Sequence, residues 1–123
     1  VVLPFLEAIR QEQSIGGVVI DEGEWSDLGE RESYLQASRQ LSEGNLLRIG
    51  DGSQRIHPES SIDPTATVDD VSSIGAGSRI GANCVIRNSV IWENVELADG
   101  VQVSDSIVRS DTKVTESIQG RDL

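Results

Sequence analysis

From Ile56 onward the apolar positions recur six residues apart, at Ile56, Ile62, Val68, Ile74, Ile80 and Ile86. Four residues after each stands a small or aliphatic side chain: Ser60, Ala66, Ser72, Ser78, Cys84 and Val90. The register slips by one after Ile86, resumes at Ile91, Leu97 and Val103, and slips again to Val108 and Val114. An echo marks the slips, IRNSV at 86–90, VSDSI at 103–107 and VTESI at 114–118. Self-similarity of this kind belongs to solenoids, and a period of six predicts a parallel β-helix. Each hexapeptide would supply one short strand and one corner of a triangular coil, with the aliphatic residue inside and the small one near the corner. Gly75, Gly81, Asn83 and Asn88 suit corners that need unusual backbone angles. An α-helix fails, because a spacing of six walks the apolar residues around its axis. A sandwich would want hairpin turns every ~8–12 residues.

The pattern upstream is different. Residues 1–29 read as the tail of an α/β unit. Pro4 fits a first helical turn and Leu6 and Ile9 share one face of a short helix. SIGG then breaks the helix, VVI at 18–20 reads as a buried strand, and DEGE at 21–24 as a turn. One short strand leaves its backbone groups unpaired, so its sheet is expected upstream. Residues 30–43 predict a second helix with Tyr34, Ala37, Ser38 and Leu41 on one face, stopped by Gly44 and Asn45. The expected organisation is therefore an α/β remnant over 1–44, a linker over 45–55 and the β-helix over 56–123.

Composition narrows the setting. At 123 residues the chain can hold one ordinary domain, or a small domain carrying part of another. Aromatic residues make up only 3%, so the core must be aliphatic. A net charge of −11 argues against nucleic acid and against anionic membrane surfaces. A single cysteine cannot form an internal disulfide, which fits a reducing cytoplasm. There is neither a signal-peptide pattern nor an apolar run near the ~18 residues of a membrane span. A start on Val1 with no methionine anywhere reads as a fragment.

The stretch EWSDLGERESYLQA at 24–37, followed by repeats containing IRNSVIWENVEL at 86–97, resembles the C-terminal part of sugar-1-phosphate nucleotidylyltransferases. Within them it is most similar to the mannose-1-phosphate guanylyltransferase-like proteins. The resemblance implies a left-handed β-helix, an exception to the right-handed crossover rule. It also implies a cytoplasmic parent enzyme that joins a sugar 1-phosphate to a nucleoside triphosphate, with GTP and mannose 1-phosphate as the preferred pair. A homo-oligomer assembled through the β-helix is implied as well. By resemblance Asp27 is one of two carboxylates holding a catalytic Mg²⁺, and Trp25 and Gly29 form the pocket edge. Mg²⁺ suits such a site because it takes one or two carboxylates, phosphate oxygens and water. The family's Gly-Thr-Pro-Glu is replaced here by Gly29-Glu30-Arg31-Glu32, and its glycine-rich nucleotide loop and second metal-binding Asp belong to upstream sequence. The chain alone is therefore expected to lack catalytic residues of its own and to be inactive.

Blander readings stand beside these. Asp27-x-x-Glu30 matches a helix capping box that needs no metal. A hexapeptide-repeat acyltransferase would want a histidine base in an inserted loop, whereas His57, the only histidine, sits with Pro58 at the first corner. A non-catalytic oligomerisation module is the third reading. Cys84 occupies a small inward position and reads as structural. The acidic residues of the coils read as a solvated surface, and Trp92 as a contact between domains or subunits.

Overall fold

The computed structural model of the chain describes residues 2–14, 16–19, 27–42 and 54–123. Expectations for Trp25, Ile20, the DEGE turn, the Gly44–Asn45 stop and most of the linker lie outside the described residues. Two helices come first, α1 over Val2–Arg10 and α2 over Arg31–Ser42. Eleven short strands follow: β1 (Ser61–Ile62), β2 (Thr67–Val68), β3 (Ser73–Ile74), β4 (Arg79–Ile80), β5 (Val85–Arg87) and β6 (Val90–Ile91) lead into β7 (Glu96–Leu97), β8 (Gln102–Ser104), β9 (Ile107–Val108), β10 (Lys113–Val114) and β11 (Ile118–Gln119).

Every third strand falls into the same sheet. The orders are β1-β4-β7-β10, β2-β5-β8-β11 and β3-β6-β9, all parallel. The chain therefore winds through three full triangular coils and most of a fourth, as the six-residue period requires. Ile62 pairs with Ile80 and Ile80 with Leu97, so the first coil is one residue longer than the second. The sequence slips are the shortened corners between β5 and β6 and between β8 and β9. There Asn88 and Asp105 take the left-handed backbone conformation, at φ of 45° and 50°. Short polar side chains tolerate that conformation, and each shortened corner carries one.

The interior is a single column of aliphatic side chains. Ile74, Ile80, Ile86, Ile91, Leu97, Val103, Val108 and Val114 are all buried and pack in one cluster with Cys84, Val95 and Val101. Residues two positions before the inward aliphatics fill the corners, and four of them are buried serines: Ser72, Ser78, Ser89 and Ser106. A buried hydroxyl without a partner would cost stability, but these oxygens accept backbone N–H groups from the next coil. The Ser72 oxygen accepts from Ser89 N at 3.0 Å, that of Ser89 from Ser106 N at 3.2 Å, and that of Ser106 from Arg121 N at 3.1 Å. Val90 was expected at such a corner, and the slip displaces it. Ser89 takes the corner, and Val90 turns outward on β6.

Three other expectations are corrected. Gly75 and Gly81 do not adopt positive φ; their reason is proximity. A Cβ on Gly75 would lie 2.7 Å from the Trp92 carbonyl carbon, and one on Gly81 would lie 2.8 Å from the Leu97 carbonyl oxygen, so only glycine lets these coils stack. The strand expected at 18–20 does not form at Val18 and Val19. They lie outside any sheet and are more than four-fifths exposed, as two residues without a partner strand must be. On α2 the inward face is rotated by about one residue, ~100° on a helix. Leu35 is buried at 5% exposure, while Leu41 is exposed.

The first coil is tied to its neighbour by Asp69. Its Oδ1 accepts the N–H of Ser72 at 2.8 Å and of Val71 at 3.2 Å, and its Oδ2 that of Asn88 at 2.7 Å. Partial burial works to raise its pKa, but the bonds from Ser72, Asn88 and Val71 outweigh it and hold the carboxyl below the ordinary carboxylate range. A depressed pKa stabilises the fold fully above the unfolded value of about 3.9 and loses that contribution as pH falls through the folded value. Acid titration followed by circular dichroism is expected to show Asp69→Ala destabilised by about 2 kcal/mol at neutral pH, the difference narrowing below that range. An unchanged gap at low pH would show that the carboxylate is not the tie.

Candidate functional site

Asp27 opens the turn that leads into α2. Its Oδ1 accepts the Gly29 N–H at 2.9 Å, which closes an Asx turn. A Cβ at Gly29 would come within 3.1 Å of the same oxygen, so any larger residue there would push on the turn. The helix then starts on Glu30, whose carbonyl accepts Tyr34 N at 3.0 Å and the Ser33 hydroxyl at 2.9 Å. Glu30 is thus the capping position and Asp27 stands three residues before it. The capping box that pairs Asp27 with Glu30 does not form. The carboxylate is exposed, and among the described residues no group of three His, Cys, Asp or Glu side chains comes together as a metal site. Asp27 offers one hard oxygen donor set, compatible with Mg²⁺ as one carboxylate among several but insufficient by itself.

Helix α2 lies against the outside of the sheet formed by β3, β6 and β9, and the reason is legible in that sheet's outward residues. The outward positions of β1, β4, β7 and β10 are Ser61, Arg79, Glu96 and Lys113, with Glu96 salt-bridged to both Arg79 and Lys113 at 3.3 Å. Those of β6 and β9 are Val90 and Ile107, which need cover. Leu35 of α2 supplies it, and Tyr34 and Trp92 pack on the margin. An ion pair joins the helix end to the coil, Arg31 Nη1 to Asp122 Oδ1 at 3.5 Å. Asp122 is placed by a lone bridge to Ile107, beside Leu123, whose N–H donates to the Ile107 carbonyl at 3.0 Å. Trp92, expected at a contact between domains or subunits, packs beside α2 of the same chain.

Truncating Leu35 to alanine is expected to free α2 at a cost of about 2–4 kcal/mol to its docking while the coils stay intact. Hydrogen exchange checks this. Amides of 31–42 should exchange faster in Leu35→Ala with those of 61–118 unchanged, and equal loss in both would mean that helix and coils fold as one unit.

Two grooves flank the helix. One, of about 350 Å³, lies beside Arg31, Leu35, Arg39, Asn88 and Asp105. The other, of about 150 Å³, runs from Gly29 and Glu30 past Tyr34 to Trp92, Arg109 and Asp122. Sequence reasoning found Trp92 but missed Leu35, Arg31, Arg109 and Asp122. The spacing 31-35-38-42 on α2 was the available signal for the first two. Nothing local marks Asp122.

The remaining singled-out residues are quiet. His57 Nδ1 accepts the Glu59 N–H at 3.2 Å at the first corner, the use of a turn residue. Cys84 is fully buried and its thiol donates to the Ala98 carbonyl at 3.1 Å, so it is structural as expected. No helix among the described residues is long and apolar enough to cross a membrane.

These features define a parallel β-helix domain with one helix clasped to an apolar outer face. Residues 51–120 match the family model of the GMPPB C-terminal domain, more than half of the chain, and the chain belongs to that family. This agrees with the likeness to the C-terminal part of mannose-1-phosphate guanylyltransferase-like proteins drawn from the sequence motifs. No curated protein matches the chain.

Proposed function

We propose that the chain is the C-terminal part of a sugar-1-phosphate nucleotidylyltransferase of the GDP-mannose-forming type, and that its β-helix supports and assembles the enzyme. The observation that supports this reading most is the match of residues 51–120 to the GMPPB C-terminal domain, which points to a nucleotidyltransferase parent. The Asp27–Gly29 turn just upstream adds to it, because an exposed carboxylate pre-oriented by its own Asx turn can meet a metal and phosphates. In this reading residues 1–44 close the nucleotidyltransferase domain, and Asp27 is one of the carboxylates that hold Mg²⁺, with Trp25 and Gly29 at the pocket edge. When bound, Mg²⁺ would neutralise charge on the phosphates. The protein's own part is to hold one carboxylate at a fixed place between a turn and a helix clasped to a rigid coil. The substrates are a nucleoside triphosphate, GTP by preference, and mannose 1-phosphate, handled in the cytoplasm by a homo-oligomer joined through its coils.

The test is turnover. The chain alone is expected to release no pyrophosphate from GTP and mannose 1-phosphate, and to do so once joined to a nucleotide-binding half of that family. His57→Ala should leave the joined enzyme's rate within about twofold, since a turn residue takes no part in proton transfer. A joined enzyme that instead transfers an acyl group from acetyl-CoA, and loses that with His57→Ala, would replace this reading with the acyltransferase one.

A further inference from the structure

The Arg31–Asp122 ion pair can add little to the stability of the fold. Its side chains are 37% and 38% exposed, and solvent screens such a pair. Its partner on the coil is nevertheless firmly held. Gly120 N donates to Ser104 O at 3.0 Å, Arg121 N to the Ser106 hydroxyl at 3.1 Å and Leu123 N to Ile107 O at 3.0 Å. In return the Arg121 carbonyl accepts Ile107 N at 3.0 Å and the Leu123 carbonyl accepts Arg109 N at 2.8 Å. A Cβ on Gly120 would lie 3.8 Å from Arg31 Nη2, so the guanidinium passes over this corner on its way to the carboxylate.

Helix α2 thus has two anchors four residues apart, one turn along the same face: Arg31 on the fourth coil and Leu35 on Val90 and Ile107. Leu35 docks the helix but leaves its first turn to hold itself. Helix ends open at close to no cost, so even a contact of small energy at Arg31 shifts the fraction of molecules in which that turn is closed. The turn matters because Asp27 hangs from it. Asp27 lies four residues before Arg31, and the bonds from Gly29 N to its Oδ1 and from Tyr34 N to Glu30 O link the two. We propose that Arg31 and Asp122 are positioning residues for the Asp27 carboxylate, so that the fourth coil sets how readily this turn takes Mg²⁺. The proposal rests on the reading of Asp27 as a metal ligand. Linkage makes the coupling reciprocal: metal held at Asp27 steadies the segment around Asp122.

The full chain without metal gives the first test, by NMR of solvent exchange at the Gly29 and Tyr34 amides. Arg31→Glu and Asp122→Arg should each speed that exchange about threefold, the scale of one exposed ion pair, with amides of 61–118 unchanged. The double variant, with the charges swapped, should recover most of it. In the enzyme joined to a nucleotide-binding half, each single variant should raise the Mg²⁺ concentration for half-maximal rate about threefold, and the swap should restore it. The rate at saturating Mg²⁺ should stay within about twofold, because position and not chemistry is altered. Added Mg²⁺ should slow exchange at Gly120 and Leu123 in the joined enzyme and not in its Asp27→Asn variant. Unchanged Gly29 exchange, a double variant that does not recover, or an unmoved Mg²⁺ requirement in an enzyme that Asp27→Asn still disables would each overturn the proposal and leave the metal reading intact. Normal turnover in Asp27→Asn would instead remove the metal reading, and the proposal with it.

Discussion

An Ile80→Asp chain is expected to lose its β-helix as a unit. Ile80 is 3% exposed, and its strand β4 stands between β1 and β7, where Ile80 is paired to Ile62 and Leu97. Around it lie aliphatic side chains and the Cys84 thiol, which is committed to the Ala98 carbonyl, and the nearby Ser78 hydroxyl is committed to the Trp92 carbonyl. A carboxyl placed there is either ionised without a partner or protonated at a cost, several kcal/mol in both cases. A solenoid holds itself together through contacts between neighbouring coils, and the described residues make three full coils and most of a fourth. Breaking the second separates the first from the rest. Against a total stability of about 5–15 kcal/mol the substitution is decisive. Circular dichroism and a thermal scan should show the β signal and the transition gone. Glu93→Gln on the exposed surface, where an amide oxygen can still accept the Ser110 hydroxyl, should leave both in place. A folded Ile80→Asp chain would mean that the inward column is not the core.

The second large effect concerns chemistry. In the joined enzyme, Asp27→Asn is expected to lower kcat by orders of magnitude, because it removes a charge where the metal must be held as the transition state forms. Stability should barely change. The side chain is exposed, and its structural task, accepting the Gly29 N–H through Oδ1, is one that an amide oxygen performs equally well. The two readouts together separate a metal ligand from a turn former. Near-normal turnover in Asp27→Asn would reduce the carboxylate to its Asx turn.

How much of this could be read from residue order follows from what each feature depends on. The coil period was legible because a parallel β-helix repeats one local rule, inward aliphatic and small corner, and each coil restates it. Even the slips at Asn88 and Asp105 left a trace as displaced isoleucines and valines. The corner at Ser89 was misplaced because Val90 and Ser89 are adjacent, and only pairing with Ser106 shows which one points inward. The motif around Asp27 was legible only as a pattern of residues, because the capping box read from it does not form and the Asx turn to Gly29 appears in the structure alone. Its role as a cap was not separable from its role as a turn until the helix start on Glu30 was known.

What the sequence by itself determined, then, is the β-helix, a product of interactions within one repeat. The tertiary structure alone decided which outer sheet is covered, which face of α2 covers it, and what gathers beside it. Val90 and Ile107 lie seventeen residues apart on neighbouring coils, and Leu35 comes from more than fifty residues upstream. Arg31 meets Asp122 across about three quarters of the chain. No local period records such contacts, because each depends on how many residues a coil consumes before the chain returns to the same face.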